Sequence, residues 1–385
     1  MKKKARVILI LGLIFCTIFQ NIYTPKINAV VKNPIIGPSK DKDYKEIAKT
    51  EIEKIYGLRS KAFTSLDLKS LVPLFDTSKN YGKWSLDHEI KRIKYLYEWG
   101  YKRNIKFTDV VSSINLKKVK HSGNKLSVYL NEVLTFNYMY KSDPDPVNNS
   151  FSIGLRHNIV LINKEDKWVV YNDWYTDCFE DALDLYNGDL TVPDTSKLKA
   201  YNIANSPKNA QEMLWGNDRR IRLVEYADKY YHNYNKKYID FTGIGGDCTN
   251  FASQALSDKE GAALKFNGGW YCSKGHGSKA FVNTDAFKNY LIYSGRGRLI
   301  KVGTFENLVK QTDYYPNGAI SKLIPGDLVA YDKKNNIDHF AIVTGFDSHG
   351  YPLINSHTTD RYHVPWDLGW ANSNIKFHLI HTNLH

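Results

Sequence analysis

Along residues 41–104 the apolar positions recur at the spacing of helix faces. Ile47, Ile52, Ile55 and Leu58 form one stripe, Leu66 to Phe75 a shorter piece, and Ile90, Ile93, Leu96, Tyr97 and Tyr101 another. After Asn104 the period falls to two. Phe107 to Val119, Leu126 to Tyr140, Phe151 to Ile162 and Trp168 to Trp174 alternate, separated by the turn-forming runs His121-Ser122-Gly123-Asn124, Asp143-Pro144-Asp145-Pro146 and Lys164-Glu165-Asp166. Helices followed by a meander of strands predict an α+β layer over residues 41–177. The stretch Leu190 to Pro207 carries two prolines among small and polar residues, so 178–207 reads as a linker and 208–385 as a second domain.

In the second half, residues 209–235 predict a helix with Ile221, Val224, Tyr226 and Ala227 towards one face. A shorter helix is predicted from Cys248, where Phe251, Ala252, Ala255 and Leu256 keep helical spacing behind Gly245-Gly246 and the N-cap residue Asp247. Asp285 to Tyr293 reads as a further helix. Leu328 to Tyr331, Asp338 to Gly345 and Tyr351 to His357 read as strands, the last two joined by the polar turn Asp347-Ser348-His349-Gly350.

This pattern places a thiol where chemistry is expected. Unpaired N–H groups and the helix dipole at a first turn favour a thiolate at Cys248, while the charge of Asp247 opposes it if it points at the sulfur. His339 opens a strand, and polar residues stand on the neighbouring strand. A helix-start cysteine, a distant histidine and an orienting Asn or His are the parts of a thiol hydrolase. The backbone N–H of Cys248 is one half of an oxyanion hole, with Thr242, Gln254 or a loop amide as candidates for the other donor. The glycine-rich loop from Asn267 to Phe281 carries Trp270, a candidate substrate wall or a simple hydrophobic plug.

The stretches GGDCTNFASQ (Gly245 to Gln254), GDLVAYD (Gly326 to Asp332) and DHFAIVTG (Asp338 to Gly345), with HTTD at His357 to Asp360, resemble the bacterial putative amidase domain. That family is similar in core layout to NlpC-type cell-wall peptidases and to papain. The resemblance implies Cys248 as nucleophile and His339 as base. The third residue stays open: Asn355 lies at a spacing similar to that of papain, whereas NlpC-type enzymes use a histidine near His357. The order of elements over 41–177 is similar to the cone-shaped fold of the nuclear transport factor two and SnoaL superfamily, although no sharp motif supports it. The expected fold class is therefore α+β, with a papain-like or NlpC-like C-terminal domain behind a cone-like N-terminal one. His157, Asp173 and the aromatic residues of the first half read as structural.

Residues 1–29 have the form of a secretory signal peptide: Lys2, Lys3, Lys4 and Arg6 precede an apolar run from Val7 to Phe19, and Ala29 is the expected last residue removed. Export makes cell-wall peptide the leading substrate. The whole chain carries a net charge of +13, of which five basic residues lie in this segment, leaving +8 and a weak attraction to an anionic wall. No basic-aromatic motif of a dedicated nucleic-acid reader accompanies that charge. Beyond Cys16, the cysteines Cys178, Cys248 and Cys272 are too few for a disulfide framework, although Cys178 and Cys272 are able to pair. Seven histidines fall between His339 and His385, yet neither HExxH nor paired CxxC spacing occurs, so no metal or cofactor is expected. The readings at this point are a secreted cysteine amidase or peptidase, or a non-catalytic wall-binding or adhesion protein with a degenerate amidase-like domain.

Overall fold

The computed structural model describes residues 40–201, 217–370 and 375–384, and the side chains from residue 43 onward. The signal segment and the start of the helix expected from residue 209 lie outside the described residues.

Two long helices, α1 (Lys40–Ser65) and α2 (Asn80–Lys102), precede four strands: β1 (Ile105–Ser122), β2 (Lys125–Tyr140), β3 (Asn149–Lys164) and β4 (Lys167–Trp174). The apolar stripes do what their spacing predicts: Ile52, Ile55, Ile90, Ile93 and Leu96 are buried. In β2 buried and less buried positions alternate along almost the whole strand, as a one-sided sheet requires. The first half also encloses a charged cluster. His157 Nδ1 lies 2.9 Å from Asp173 and its Nε2 3.1 Å from Glu132, which also pairs with Arg59. His157 and Glu132 are both fully buried, so the charges of the cluster are compensated within it.

Further along lie α3 (Asp218–Tyr230), α4 (Cys248–Ser257), the short pair β5 (Cys272–Ser273) and β6 (His276–Gly277), and α5 (Thr284–Tyr293). The remaining strands are β7 (Gly297–Gly303), β8 (Leu328–Lys333), β9 (Asn336–Phe346), β10 (Pro352–Ser356), β11 (Asp360–Pro365) and β12 (Ile375–Thr382). Helix α3 stops at Tyr230, short of the expected Asn235.

The strands of both halves share one antiparallel sheet in the order β1-β2-β3-β11-β10-β9-β8-β12-β7, with β4 also on β3. The join is β3 against β11, where Gly154 pairs with Asp360 and Ile153 with Arg361. Gly154 is required for space there: a Cβ would come within 2.9 Å of the Asp360 Cβ and 3.0 Å of the His232 Nδ1. Asp360 is fully buried and accepts from His232, Tyr234 and Arg156 across the join. One apolar cluster runs from Ile52 and Phe136 to Val343 and Trp366, and residues 41–385 form a single compact unit. A second cluster, with Phe251, Phe287, Phe340 and Ile342, holds α4 against the other face of β9. Burial on both faces is why β9 reads as an uninterrupted apolar run. The fold class is α+β. No helix of the described residues is long and apolar enough to cross a membrane.

Candidate active site

Cys248 opens α4 as its spacing predicts, and the loop before it explains the two glycines. Gly245 has φ 132° and Gly246 φ 111°, in the region that favours glycine, and a Cβ on Gly246 would also meet the Thr358 hydroxyl at 3.1 Å. That hydroxyl accepts from the Asp247 N–H at 2.9 Å. Thr358 itself sits at φ 80°, an unusual conformation for a β-branched residue and a mark of a tightly constrained segment.

Asp247 takes the N-cap position, but its carboxylate makes no capping bond. Instead Oδ1 accepts from the Phe241 N–H at 3.0 Å and the Asn250 amide at 2.8 Å, and Oδ2 lies 2.6 Å from His357 Nδ1. His357 Nε2 donates to the Tyr230 carbonyl at 2.8 Å. Each ring nitrogen thus faces an oxygen acceptor, and the two contacts fix the orientation of the ring. The ring is stacked between Tyr234 at 3.6 Å and Phe251 at 3.7 Å. His357 thus supports the loop before Cys248 and makes no hydrogen bond to His339.

Asn355 is likewise occupied elsewhere. Its amide donates to Asp228 at 2.8 Å, and its oxygen accepts from the His363 N–H at 2.7 Å and Thr344 Oγ1 at 3.2 Å. The register explains this placement. A shift at Thr344 sets Ile354 opposite Val343 and Asn355 opposite Ile342, so Asn355 shares the Ile342 face, whereas His339 lies on the face of Ala341 and Val343. Neither residue expected to orient the base hydrogen-bonds it.

His339 is positioned by a bulge. The β8–β9 register passes from Tyr331 opposite His339 to Asp332 opposite Ile337, leaving Asp338 as the extra residue. The imidazole packs beside Tyr331 and Trp370, with ring centroids 5.6 Å away in each case. Its Nε2 is buried without a hydrogen-bond partner. Burial, with Arg361, Lys333 and His357 adding like charge, holds its pKa well below the ordinary imidazole value, so the ring is neutral. Burial also raises the Cys248 pKa, against hydrogen bonds from the Phe340 backbone and Thr249 that lower it. The thiolate expected from the helix start is therefore not the resting form: desolvation outweighs the first-turn N–H groups.

Cys248 and His339 line one pocket of about 670 Å³, within the range of small-molecule sites. Thr249, Thr358, Arg361 and Trp370 line it as well, and the first half of the chain contributes Asp177 and Cys178. Arg361 donates from Nη2 to the Cys178 carbonyl at 2.8 Å, while its buried Nε has no partner. Sequence reasoning missed Arg361, although the HTTD run adjoins it, and Trp370, which no motif marks. Nothing local marks Asp177 or Cys178.

Two expected residues lie elsewhere. Gln254 is buried in α4, where its Oε1 accepts from Tyr226 at 2.9 Å, and it does not line the pocket shared by Cys248 and His339. Trp270 is a plug: its Nε1 donates to Ser253 at 3.0 Å and its ring stacks on Phe281 and Tyr290. Cys178, Cys248 and Cys272 are all free thiols, and burial pushes that of Cys178 up to about 12.

No curated protein matches the chain. Among solved structures, the crystal structure of the intermembrane space region of the chloroplast protein ARC6 is similar at 13% identity over 36% of this chain and 98% of that one. Its TM-score of 0.24 is too low to support a fold comparison. Residues 217–380, which hold Cys248, His339, Asn355 and His357, match the family described as "Putative amidase domain", a similarity that points to a hydrolase.

Proposed function

We propose that the protein is a secreted cysteine amidase or peptidase that cleaves an amide bond in cell-wall peptide through a thioester acyl-enzyme. The observation that carries the reading is the shared pocket of Cys248 and His339, with the His339 Nε2 free of hydrogen bonds. A neutral imidazole beside a protonated thiol acts as a general base rather than as half of a preformed ion pair. His339 takes the thiol proton as sulfur bonds to the amide carbonyl, then returns it to the nitrogen as the C–N bond breaks. Water cleaves the thioester, releasing the acid and restoring the thiol. No Cys248–His339 hydrogen bond is formed in the unliganded site, and such bonds tighten in substrate complexes. The Cys248 N–H, in a first turn without intrahelical acceptors, supports an oxyanion-hole role.

Export is supported by the basic and apolar pattern of residues 1–29, and weak wall attraction by the net positive charge. The alternative, a wall-binding protein with an inert amidase-like region, draws support from the raised Cys248 pKa. Incubation with wall fragments and simple amides, with and without a thiol alkylator and a chelator, separates the readings. The amidase reading requires an activity that resists chelation and is lost on alkylation; absence of any turnover favours the binder.

A further inference from the structure

We propose that the pocket selects amide substrates bearing a free ammonium group, held at the rim by carboxylates from the first half of the chain. The inference rests on the amidase reading and extends it to a substrate class. Glu180, Asp181 and Asp184, just beyond β4, line the pocket together with Asp338. Lys333 stands among them, with its Nζ 2.5 Å from Asp181 and 3.2 Å from Asp338. Glu180 and Asp184 are exposed and have no ion-pair partner among the described residues. The rim is thus acidic in a chain whose net charge is +13, the opposite of what its composition would place there by default.

Acidic side chains alone would be a solvated edge. Two buried polar atoms on side chains lining the same pocket point to a ligand: His339 Nε2 and Arg361 Nε, each without a hydrogen-bond partner. Arg361 Nε only donates, so the partner it lacks is an acceptor, such as a carbonyl or carboxylate oxygen. An acceptor taken by the interior and a cation held at the rim describe a peptide that enters carbonyl first and leaves an amine at the mouth. A cleft with low-dielectric walls focuses such a field and concentrates cationic substrates.

The test uses soluble wall-peptide fragments and the same fragments after acetylation of their free amines, with the full chain and a Glu180→Gln/Asp184→Asn variant. Both side chains are exposed and unpaired, so the fold is expected to be kept. At low salt the wild type should prefer the unmodified fragments by roughly tenfold in kcat/KM. The variant should lose most of that preference through KM, with its rate on acetylated fragments unchanged. Cys248-dependent hydrolysis of both sets at equal rates by the wild type overturns the inference while leaving the amidase reading standing, as does a preference the variant retains. Without hydrolysis of either set, calorimetric binding to Cys248→Ala decides: tighter binding of unmodified fragments, weakened by salt, supports the inference, and equal or absent binding overturns it.

Discussion

The carboxylate of Asp247, the residue directly before Cys248, lies 2.6 Å from His357 Nδ1, and both side chains are 1% exposed. Through this contact the strand end after β10 holds the loop that presents Cys248. Breaking one side of a buried pair leaves the other partner uncompensated. His357→Ala and Asp247→Ala should each destabilise the protein by about 3–5 kcal/mol. A double-mutant cycle by denaturant unfolding should give a coupling of about 1–3 kcal/mol; strictly additive losses would mean that the pair does not act as a unit.

Asn355 is predicted to matter for stability more than for chemistry, because its three hydrogen bonds join Asp228, Thr344 and the His363 backbone rather than His339. Asn355→Ala should cost about 1–3 kcal/mol by leaving the buried Thr344 and the half-buried Asp228 and His363 N–H without this partner. Activity per folded molecule should change only a few-fold. A stably folded variant with a collapsed rate would return Asn355 to the catalytic set.

These two residues show what the sequence pattern could and could not convey. The helices and strands were legible because apolar periodicity records which face is buried; Cys248 was legible because it opens a helix, whereas His339 lies inside β9, past the strand start at Asn336. The placement of Asn355 was not legible because two irregularities, at Thr344 and Asp338, change which face a side chain occupies, and a bulge leaves no periodic trace. Arg361 and the Asp177–Cys178 wall reach the pocket only because β11 joins β3, a pairing across some two hundred residues of chain that no local spacing encodes.

The depressed pKa of His339 predicts an unusually acid-tolerant base. Its neutral form persists as pH falls, so the acid limb of kcat/KM should lie below the ordinary imidazole value of about 6.5. Arg361→Gln removes one cation that holds the pKa down and should move the limb upward. The stability linkage has a matching sign: the His339 contribution is present above about 6.5 and is lost as pH falls towards the folded-state value, a loss that His339→Gln should reduce. A wild-type limb at or above 6.5 would contradict this environment.

In the first half the sign reverses. Burial lowers the His157 pKa, but Asp173 and Glu132 outweigh it and raise the value to about 9. Its contribution to stability is therefore full below about 6.5 and is lost as pH rises through 9. Glu132→Gln should destabilise by about 3–5 kcal/mol by leaving Arg59 and His157 short of an anion. It should also flatten the alkaline loss measured by thermal unfolding between pH 7 and 10; an unchanged slope would show that His157 does not carry it.

The central claim is that Cys248 becomes covalently acylated. Rapid quenching of the full chain during turnover of wall-peptide fragments, followed by intact-mass measurement and peptide mapping, tests it directly. Acylation should appear as an added mass equal to the acyl part of the substrate on the peptide containing Cys248, absent from Cys248→Ala, with both Cys248→Ala and His339→Ala folded and inactive. Turnover at the wild-type rate by folded Cys248→Ala would contradict it.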